Sequence, residues 1–221
     1  MHAAAAAARP TIAHVQTLLP SIIGATHTLP KCSNKGKPGN HLEGLLGIPQ
    51  SSACLDCADG EIKAYPLKRL ADGSLVPKET VAVTMVDQAA LLTTPWAESR
   101  VYKKLQNTLF IPYMREGDDI VYHSAALFTA ANPLMRQLEE DYALIQAKAA
   151  EGIMTGSIGT YLQTRTKGAG HGSTSRAFYL RTSFLAAIRA EAGPAPISGK
   201  GMALLRKLHE KKVRAQMDLE E

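Results

Sequence analysis

The chain has little cysteine, few aromatic residues and no long hydrophobic run. Its 221 residues include three cysteines and one tryptophan, and aromatic side chains make up 5%. An odd cysteine count without a secretion signal argues against a disulfide-stapled secreted domain and predicts reduced thiols in a cytoplasm. No apolar run approaches the roughly 20 residues that a membrane span needs, so no membrane association is expected. The alanine tract at residues 3–8 ends at Arg9 and Pro10, before a signal-peptide pattern is complete.

Size and charge indicate one globular domain that carries enough positive charge to bind a polyanion. Hydrophobic residues make up 45% of the chain, the net charge is +5 and the pI is near 9.1, which allows a nucleic-acid partner without requiring one. We predict a tail and short helix over residues 1–30, a main domain over 31–192, and a linker with a basic amphipathic helix over 193–221. That last helix could pack on the domain, bind a polyanion or pair with a second chain.

The segment Asp56-Cys-Ala-Asp-Gly-Glu61-Ile-Lys63 carries the groups that phosphodiester hydrolysis needs. Because side chains alternate along a strand, Glu61 and Lys63 point to one face and Ile62 to the other. Carboxylates of Asp56 and Glu61 can hold Mg²⁺, and the Lys63 ammonium can lie beside the attacking water. Solvated hairpins show the same spacing, so the motif alone leaves both interpretations open.

Two glycine-rich basic stretches flank this motif. Residues 31–39 precede a predicted helix that carries Glu43, and such a loop can hold a phosphate through amides and the helix N-terminus. Residues 165–176 contain two arginines and a lysine among small residues, so they can approach a DNA groove. Ordinary exposed loops share both compositions. Glu43 itself is either a solvated helical glutamate or a third carboxylate for the metal.

Cys54 and Cys57 form a CxxC pair that is typical of half a zinc site. Cys32 with His27 or His41 would complete four ligands. Asp56 lies between the paired cysteines, however, and a closed zinc site would constrain the segment that is predicted to hold magnesium.

Hydrophobic patterning also gives predictions for local structure. The strand at residues 80–86 is expected to pair with the motif strand through a turn at Asp72-Gly73-Ser74. A helix is predicted near residues 95–106 and another over 133–150, where Glu139, Glu140 and Asp141 would form an acidic outer surface.

The motifs, taken in order, resemble the MutH family, the strand-nicking endonucleases of DNA mismatch repair, which are related to restriction endonucleases that cut GATC sites. The resemblance covers about residues 31 to 190. It rests on Lys35-Gly36, Leu42-Glu43, Leu46-Gly47, Asp56, Glu61-Ile62-Lys63, Trp96–Lys104, Leu109–Pro112, Gly159–Arg165, Lys167 and Phe178-Tyr179-Leu180.

This resemblance implies an α/β restriction-endonuclease-like fold of the PD-(D/E)xK type, with a mixed central sheet flanked by helices and two lobes that form a DNA cleft. It implies Mg²⁺, with Mn²⁺ as a substitute, bound by Glu43, Asp56, Glu61 and the Ile62 carbonyl, and it puts Lys63 beside the attacking water. DNA contacts would fall on Lys35, Gly36, Lys104, Arg165, Thr166 and Lys167, and Tyr179 would lie near the adenine whose methylation is sensed.

Three functions follow as alternatives. The first is a type II restriction endonuclease that acts on DNA as a homodimer, and the second is a mismatch-repair nickase that a partner protein activates. Departures in the recognition segments, with Thr166 in place of the family's proline and Ala82 in place of a phenylalanine that wedges into DNA, favour the first together with the basic C-terminal segment. The third alternative, a DNA-binding module with a vestigial site, is disfavoured by the intact set of Glu43, Asp56, Glu61 and Lys63.

Overall fold

The computed structural model describes residues 8–30, 37–154, 158–167 and 174–192. Within these ranges the helices are α1 (Ile12–Ile22), α2 (Lys37–Leu45), α3 (Gln88–Thr93), α4 (Arg100–Leu105), α5 (Leu134–Ala150) and α6 (Thr182–Ala192), with a 3₁₀ turn at Trp96–Glu98. The strands are β1 (Thr26–Thr28), β2 (Glu61–Arg69), β3 (Leu75–Pro77), β4 (Val81–Met85), β5 (Asn107–Glu116), β6 (Asp119–Tyr122), β7 (Ala126–Thr129), β8 (Leu162–Thr166) and β9 (Arg176–Leu180). No described helix combines the length and the apolar character that crossing a membrane requires.

A six-stranded mixed sheet lies at the centre. Its strand order is β1-β6-β5-β2-β3, with β7 also paired to β5. The β2–β5 pair is parallel, and the other pairs in the sheet are antiparallel. Two parallel strands begin at the same edge of a sheet, so the start of β2 lies beside the start of β5.

Helices cover both faces of this sheet because the strand side chains alternate between two cores. On β5, Leu109 and Ile111 pack into a core shared with α1 and α2. The intervening Phe110 points to the other face and packs with residues of α4, α5 and α6. The predicted α/β fold, a mixed central sheet flanked by helices, is therefore confirmed.

The predicted partner of the motif strand is wrong. The turn at Gly73 (φ 85°) does close a hairpin, but β2 pairs there with the short strand β3. This strand ends at Pro77, which has no N–H to continue the ladder. The next strand, β4, pairs with β9 in a separate three-stranded sheet of order β4-β9-β8.

The predicted helix near residues 95–106 divides into two pieces at Ser99. A 3₁₀ turn ends there, and the Ser99 hydroxyl accepts a hydrogen bond from the Tyr102 amide at 3.0 Å to cap the N-terminus of α4. The short helix α4 then runs directly into β5, which brings its last turn, with Lys104, close to the start of the central strands.

Asp141 does not belong to an acidic outer surface, which corrects the prediction for this residue. Glu139 and Glu140 are exposed, whereas Asp141 is 2% exposed. Its α-helical position turns the carboxylate toward the start of β8 rather than toward solvent. The groups that donate to this carboxylate are the backbone amides of Thr160 (2.8 Å), Tyr161 (2.6 Å) and Leu162 (2.8 Å) and the side-chain amide of Gln137 (3.2 Å).

Candidate active site

A buried carboxylate with two lysines lies at the start of β2. Glu61 is 1% exposed, and the same oxygen, Oε1, accepts hydrogen bonds from Lys63 Nζ at 2.5 Å and from Lys104 Nζ at 2.7 Å. A carboxylate is rarely this buried without charge partners, because desolvation of the ionised form is costly. Glu61 and Lys63 share one strand face and Ile62 packs into the opposite core, as the strand alternation predicts.

Lys104 contacts Glu61 although the sequence predicts it as a DNA contact. It occupies the last turn of α4, immediately before β5, and Glu61 is paired with Thr108 near the start of β5. The side chain of Lys104 is 14% exposed, while the neighbouring Lys103 is exposed. A charge pattern on a helix does not distinguish these two lysines, since only the strand pairing decides which of them faces the carboxylate.

Asp56 and Glu43 approach this centre from two other segments. Asp56 Oδ2 accepts a hydrogen bond from the Ile62 amide at 3.0 Å, which joins the loop before β2 to the first residues of the strand. Glu43 lies on α2 and is partly buried. Burial raises its carboxyl pKa, the negative charges of Asp56 and Glu61 raise it further, and Lys63 opposes the shift. The Glu43 carboxyl is thus electrostatically coupled to the other predicted site residues.

The donor groups fit a hard divalent cation in their chemistry. The second oxygen of Glu61, Oε2, is buried and has no hydrogen-bond partner, and an orphaned buried carboxylate oxygen is a suitable cation ligand. The repulsion that raises the Glu43 pKa is also the kind that a cation would relieve. Among the described residues, however, no three His, Cys, Asp or Glu side chains already lie in positions to hold a metal ion. The ligand set of Glu43, Asp56, Glu61 and the Ile62 carbonyl therefore stays a prediction.

A cavity of about 340 Å³ opens beside these residues. One wall comes from α2 and includes Glu43, a second comes from β2 and includes Lys63, and a third is the segment at Thr80 and Ala82. The cavity thus connects the carboxylate centre with the three-stranded sheet.

The predicted DNA-contact residues of the second basic segment lie on this three-stranded sheet. Arg165 is exposed on β8, its Nη1 donates to Thr80 Oγ1 at 3.0 Å, and its guanidinium carbon lies 5.9 Å from the centroid of the Tyr179 ring. Thr166 is paired with Arg176. The sequence analysis missed Thr80, because no local pattern links a strand-entry threonine to an arginine 85 residues away. Lys167 follows β8 and is exposed, whereas Lys35 and Gly36 lie outside the described residues.

The two cysteines of the CxxC pair differ in environment. Cys57 is fully buried in the core with α1, and Cys54 is exposed. Of the other predicted zinc ligands, His27 and His41 have ring centroids 5.8 Å apart, and Cys32 lies outside the described residues. The zinc site stays a prediction.

Cys57 is expected to resist alkylation in the folded protein. Burial, followed by the nearby charges of Asp56, Asp59 and Glu61, raises the pKa of its thiol to about 12, so the reactive thiolate is scarce at pH 8. Brief iodoacetamide treatment followed by fragment mass spectrometry should find Cys54 modified and Cys57 unmodified. Unfolding in guanidinium chloride serves as the control and should expose both thiols. Equal labelling in the folded protein would contradict the buried position of Cys57.

Comparison with known proteins gives one family match. Residues 50–146 match the family described as DNA mismatch repair enzyme MutH. No curated protein sequence matches the chain. Among solved structures, the chain is similar to one titled "Restriction endonuclease MvaI-cognate DNA substrate complex", with 15% sequence identity, a TM-score of 0.41, and coverage of 78% of this chain and 92% of that chain.

Proposed function

We propose that this chain, whose residues 50–146 carry the MutH family sequence, is a metal-dependent endonuclease that hydrolyses phosphodiester bonds in double-stranded DNA at specific sequences. The observation that carries the proposal is the buried Glu61 carboxylate, which has two lysines on one oxygen and no partner on the other. A structural ion pair needs neither a second lysine nor an orphaned oxygen, whereas a phosphate-cleaving centre uses cationic groups and a free carboxylate oxygen together.

The chain would contribute three things to the reaction. Glu43, Asp56 and Glu61 would hold a divalent cation, which supplies Lewis-acid stabilisation of the charge that develops on the phosphate when it is bound. Lys63 would orient the attacking water and stabilise its developing negative charge, while solvent accepts the water's proton and supplies a proton to the leaving 3′-oxygen. Lys104, on the same Glu61 oxygen at 2.7 Å, would add positive charge near the scissile phosphate. The products would be a 5′-phosphate and a 3′-hydroxyl.

The three-stranded sheet would position the DNA. Arg165 is oriented by Thr80 and by the Tyr179 ring, so its planar guanidinium is held in place before DNA arrives. A guanidinium can donate two hydrogen bonds to one guanine, which gives sequence selectivity. Lys167 and Thr166 lie next to Arg165 on the same segment. Tyr179 would contact the adjacent base, where the MutH resemblance implies that adenine methylation is sensed.

Two biological roles are compatible with this chemistry. We favour a type II restriction endonuclease that acts as a homodimer, because of Thr166 in the recognition segment and the basic stretch beyond residue 192. The family description as a mismatch-repair enzyme supports the alternative, a nickase that a partner protein activates. Purified restriction enzyme would linearise a plasmid, whereas a nickase alone would give slow conversion to open circles.

Metal-dependent cleavage of DNA is the expected result that tests the proposal. Purified protein should cut plasmid and genomic DNA in Mg²⁺ or Mn²⁺, and chelation by EDTA should abolish cutting, because the carboxylates alone cannot stabilise a transition state of their own charge sign. Sequencing of the ends from methylated and unmethylated DNA would give the site, the number of strands cut and the methylation dependence.

Two aspartate substitutions, compared in the same cleavage assay, control for a contaminating nuclease. Asp56→Asn should lose the activity and Asp72→Asn should keep it, since Asp72 lies in the exposed turn between β2 and β3 and accepts a hydrogen bond from Ser74. DNA binding with no metal-dependent cleavage on any DNA would overturn the proposal and favour the vestigial binding module.

A further inference from the structure

We infer that residues 9–12, here termed the N-terminal brace, position the loop that carries Asp56, and that Arg9 and Asp59 are positioning residues for the metal site. The inference rests on the proposed function, because Asp56 matters here as a metal ligand. It adds a requirement that neither the sequence motif nor the family match contains, since the brace lies outside residues 50–146.

Three hydrogen bonds join the brace to the loop on both sides of Asp56. Arg9 Nη1 donates to the Leu55 carbonyl at 2.6 Å, and the Ala58 amide donates to the Pro10 carbonyl at 2.9 Å. The amide of Ile12, at the start of α1, donates to Asp59 Oδ1 at 2.7 Å. Asp56 thus lies between two residues whose backbone groups bond to the brace.

Apart from the burial of Cys57 in the core with α1, the loop has little other support. Residues 50–60 form no helix or strand, and fixing each residue of such a segment costs roughly 1–2 kcal/mol of conformational entropy. From outside the loop, the Asn107 side-chain amide donates to the Asp59 carbonyl at 2.9 Å, and the Ile62 amide donates to the Asp56 carboxylate. A precise ligand position therefore depends on the brace, because a metal site tolerates only small displacements of its carboxylates.

Close packing at Gly60 makes the same connection without a hydrogen bond. A Cβ added to Gly60 would lie 2.4 Å from the Asn107 carbonyl oxygen and 2.5 Å from Ile12 Cγ1. Both distances are shorter than atoms tolerate, so this position needs glycine. The brace and β5 consequently contact the end of the Asp56 loop from two sides, and they fix where β2 begins.

The test compares metal binding by Arg9→Ala and Asp59→Ala with that of the wild type. Each change removes one bond from the brace, and loss of a hydrogen bond to a charged group corresponds to about a tenfold change in an equilibrium constant. We expect each variant to need about tenfold more Mn²⁺ for half-saturation in calorimetry and for half-maximal cleavage, while kcat at saturating metal and DNA affinity without metal stay near wild type. Hydrogen exchange of the peptide spanning residues 55–60 should be faster, and Arg9→Lys should restore part of the metal affinity.

The matched control is Thr11→Ala. Thr11 caps α1 by accepting a hydrogen bond from the His14 amide at 3.2 Å, so this variant weakens the same helix without removing a bond to the Asp56 loop. Its metal half-saturation should equal that of the wild type. An unchanged metal affinity in Arg9→Ala and Asp59→Ala, or an equal loss in Thr11→Ala, would overturn the inference. Absence of cleavage by wild type in every metal would instead contradict the proposed function, because calorimetry and hydrogen exchange still report on the brace.

Discussion

Glu61→Gln is expected to lower the rate of DNA cleavage by about 10³-fold, the scale of losing one group that stabilises charge in a transition state. The amide has nearly the shape of the carboxylate but no charge with which to hold a divalent cation. It also leaves the ammonium groups of Lys63 and Lys104 close together without the negative charge that they share. Single-turnover cleavage at saturating enzyme measures the chemical step directly. DNA binding without metal should persist, since Glu61 is 1% exposed and its side chain offers almost no surface for direct contact with a ligand.

Two comparisons separate chemistry from stability. Glu139→Gln changes an exposed glutamate of α5 and should leave the rate unaltered. Lys104→Ala should reduce cleavage by about 10²-fold, whereas Lys103→Ala on the same helix turn should leave the rate near that of the wild type, because Lys103 is exposed and the lysines bonded to Glu61 are Lys63 and Lys104. Reactions must be run well below the melting temperature of each variant. Full activity in Glu61→Gln would show that this carboxylate has no part in the reaction.

Asp141→Ala is expected to destabilise the fold by about 3–5 kcal/mol, the range in which buried polar networks lie when one partner is removed. Three backbone amides at the start of β8 lose their acceptor together. Gly159 is packed too closely for the segment to relax, since its φ is +86° and a Cβ there would lie 2.1 Å from the Leu162 carbonyl oxygen. The Leu162 amide is buried, so it cannot turn to water in place of the lost carboxylate.

Thermal or urea unfolding measures this effect. For a chain of this size the melting temperature should fall by about 10 °C, and Asp141→Asn, which retains one acceptor oxygen, should fall by about half as much. Glu140→Ala removes an equal charge from the same helix, but its exposed pair with Arg136 is worth little. An equal loss of stability in the two alanine variants would contradict the assigned role of Asp141.

Much of the architecture follows from the sequence because hydrophobic periodicity is local. The helices α1 and α5 and the hairpin turn at Gly73 correspond to apolar stripes and turn residues that sequence reasoning identifies. The family resemblance is confirmed over residues 50–146, and the shared face of Glu61 and Lys63 follows from strand alternation alone. Each of these features depends on residues that lie within about one helical turn, or one pair of neighbouring strands, along the chain.

The errors concern contacts between distant segments. Nothing in residues 80–86 indicates that their partner is β9 rather than β2, and nothing near Asp141 indicates that its carboxylate will be buried by amides 19 to 21 residues away. Lys104 and Arg9 likewise obtain their partners from tertiary packing, 43 and 46 residues along the chain. The tertiary packing of helices and strands decides these partners, and local secondary-structure propensity does not predict that packing.

The parallel pairing of β2 with β5 also determines when the site can exist. Glu61 and Lys104 are distant in sequence, and they meet only when β5 aligns beside β2, a non-local step that is slow compared with helix or hairpin formation. Tyr122 lies beyond β5 in the chain and attaches α2, and thus Glu43, to the sheet. Its hydroxyl donates to the Pro38 carbonyl at 2.7 Å and lies 3.1 Å from His41 Nδ1. During synthesis, the set that includes Glu43 is therefore assembled only after the ribosome has released residue 122, so a partly made chain carries the motif but not the complete arrangement.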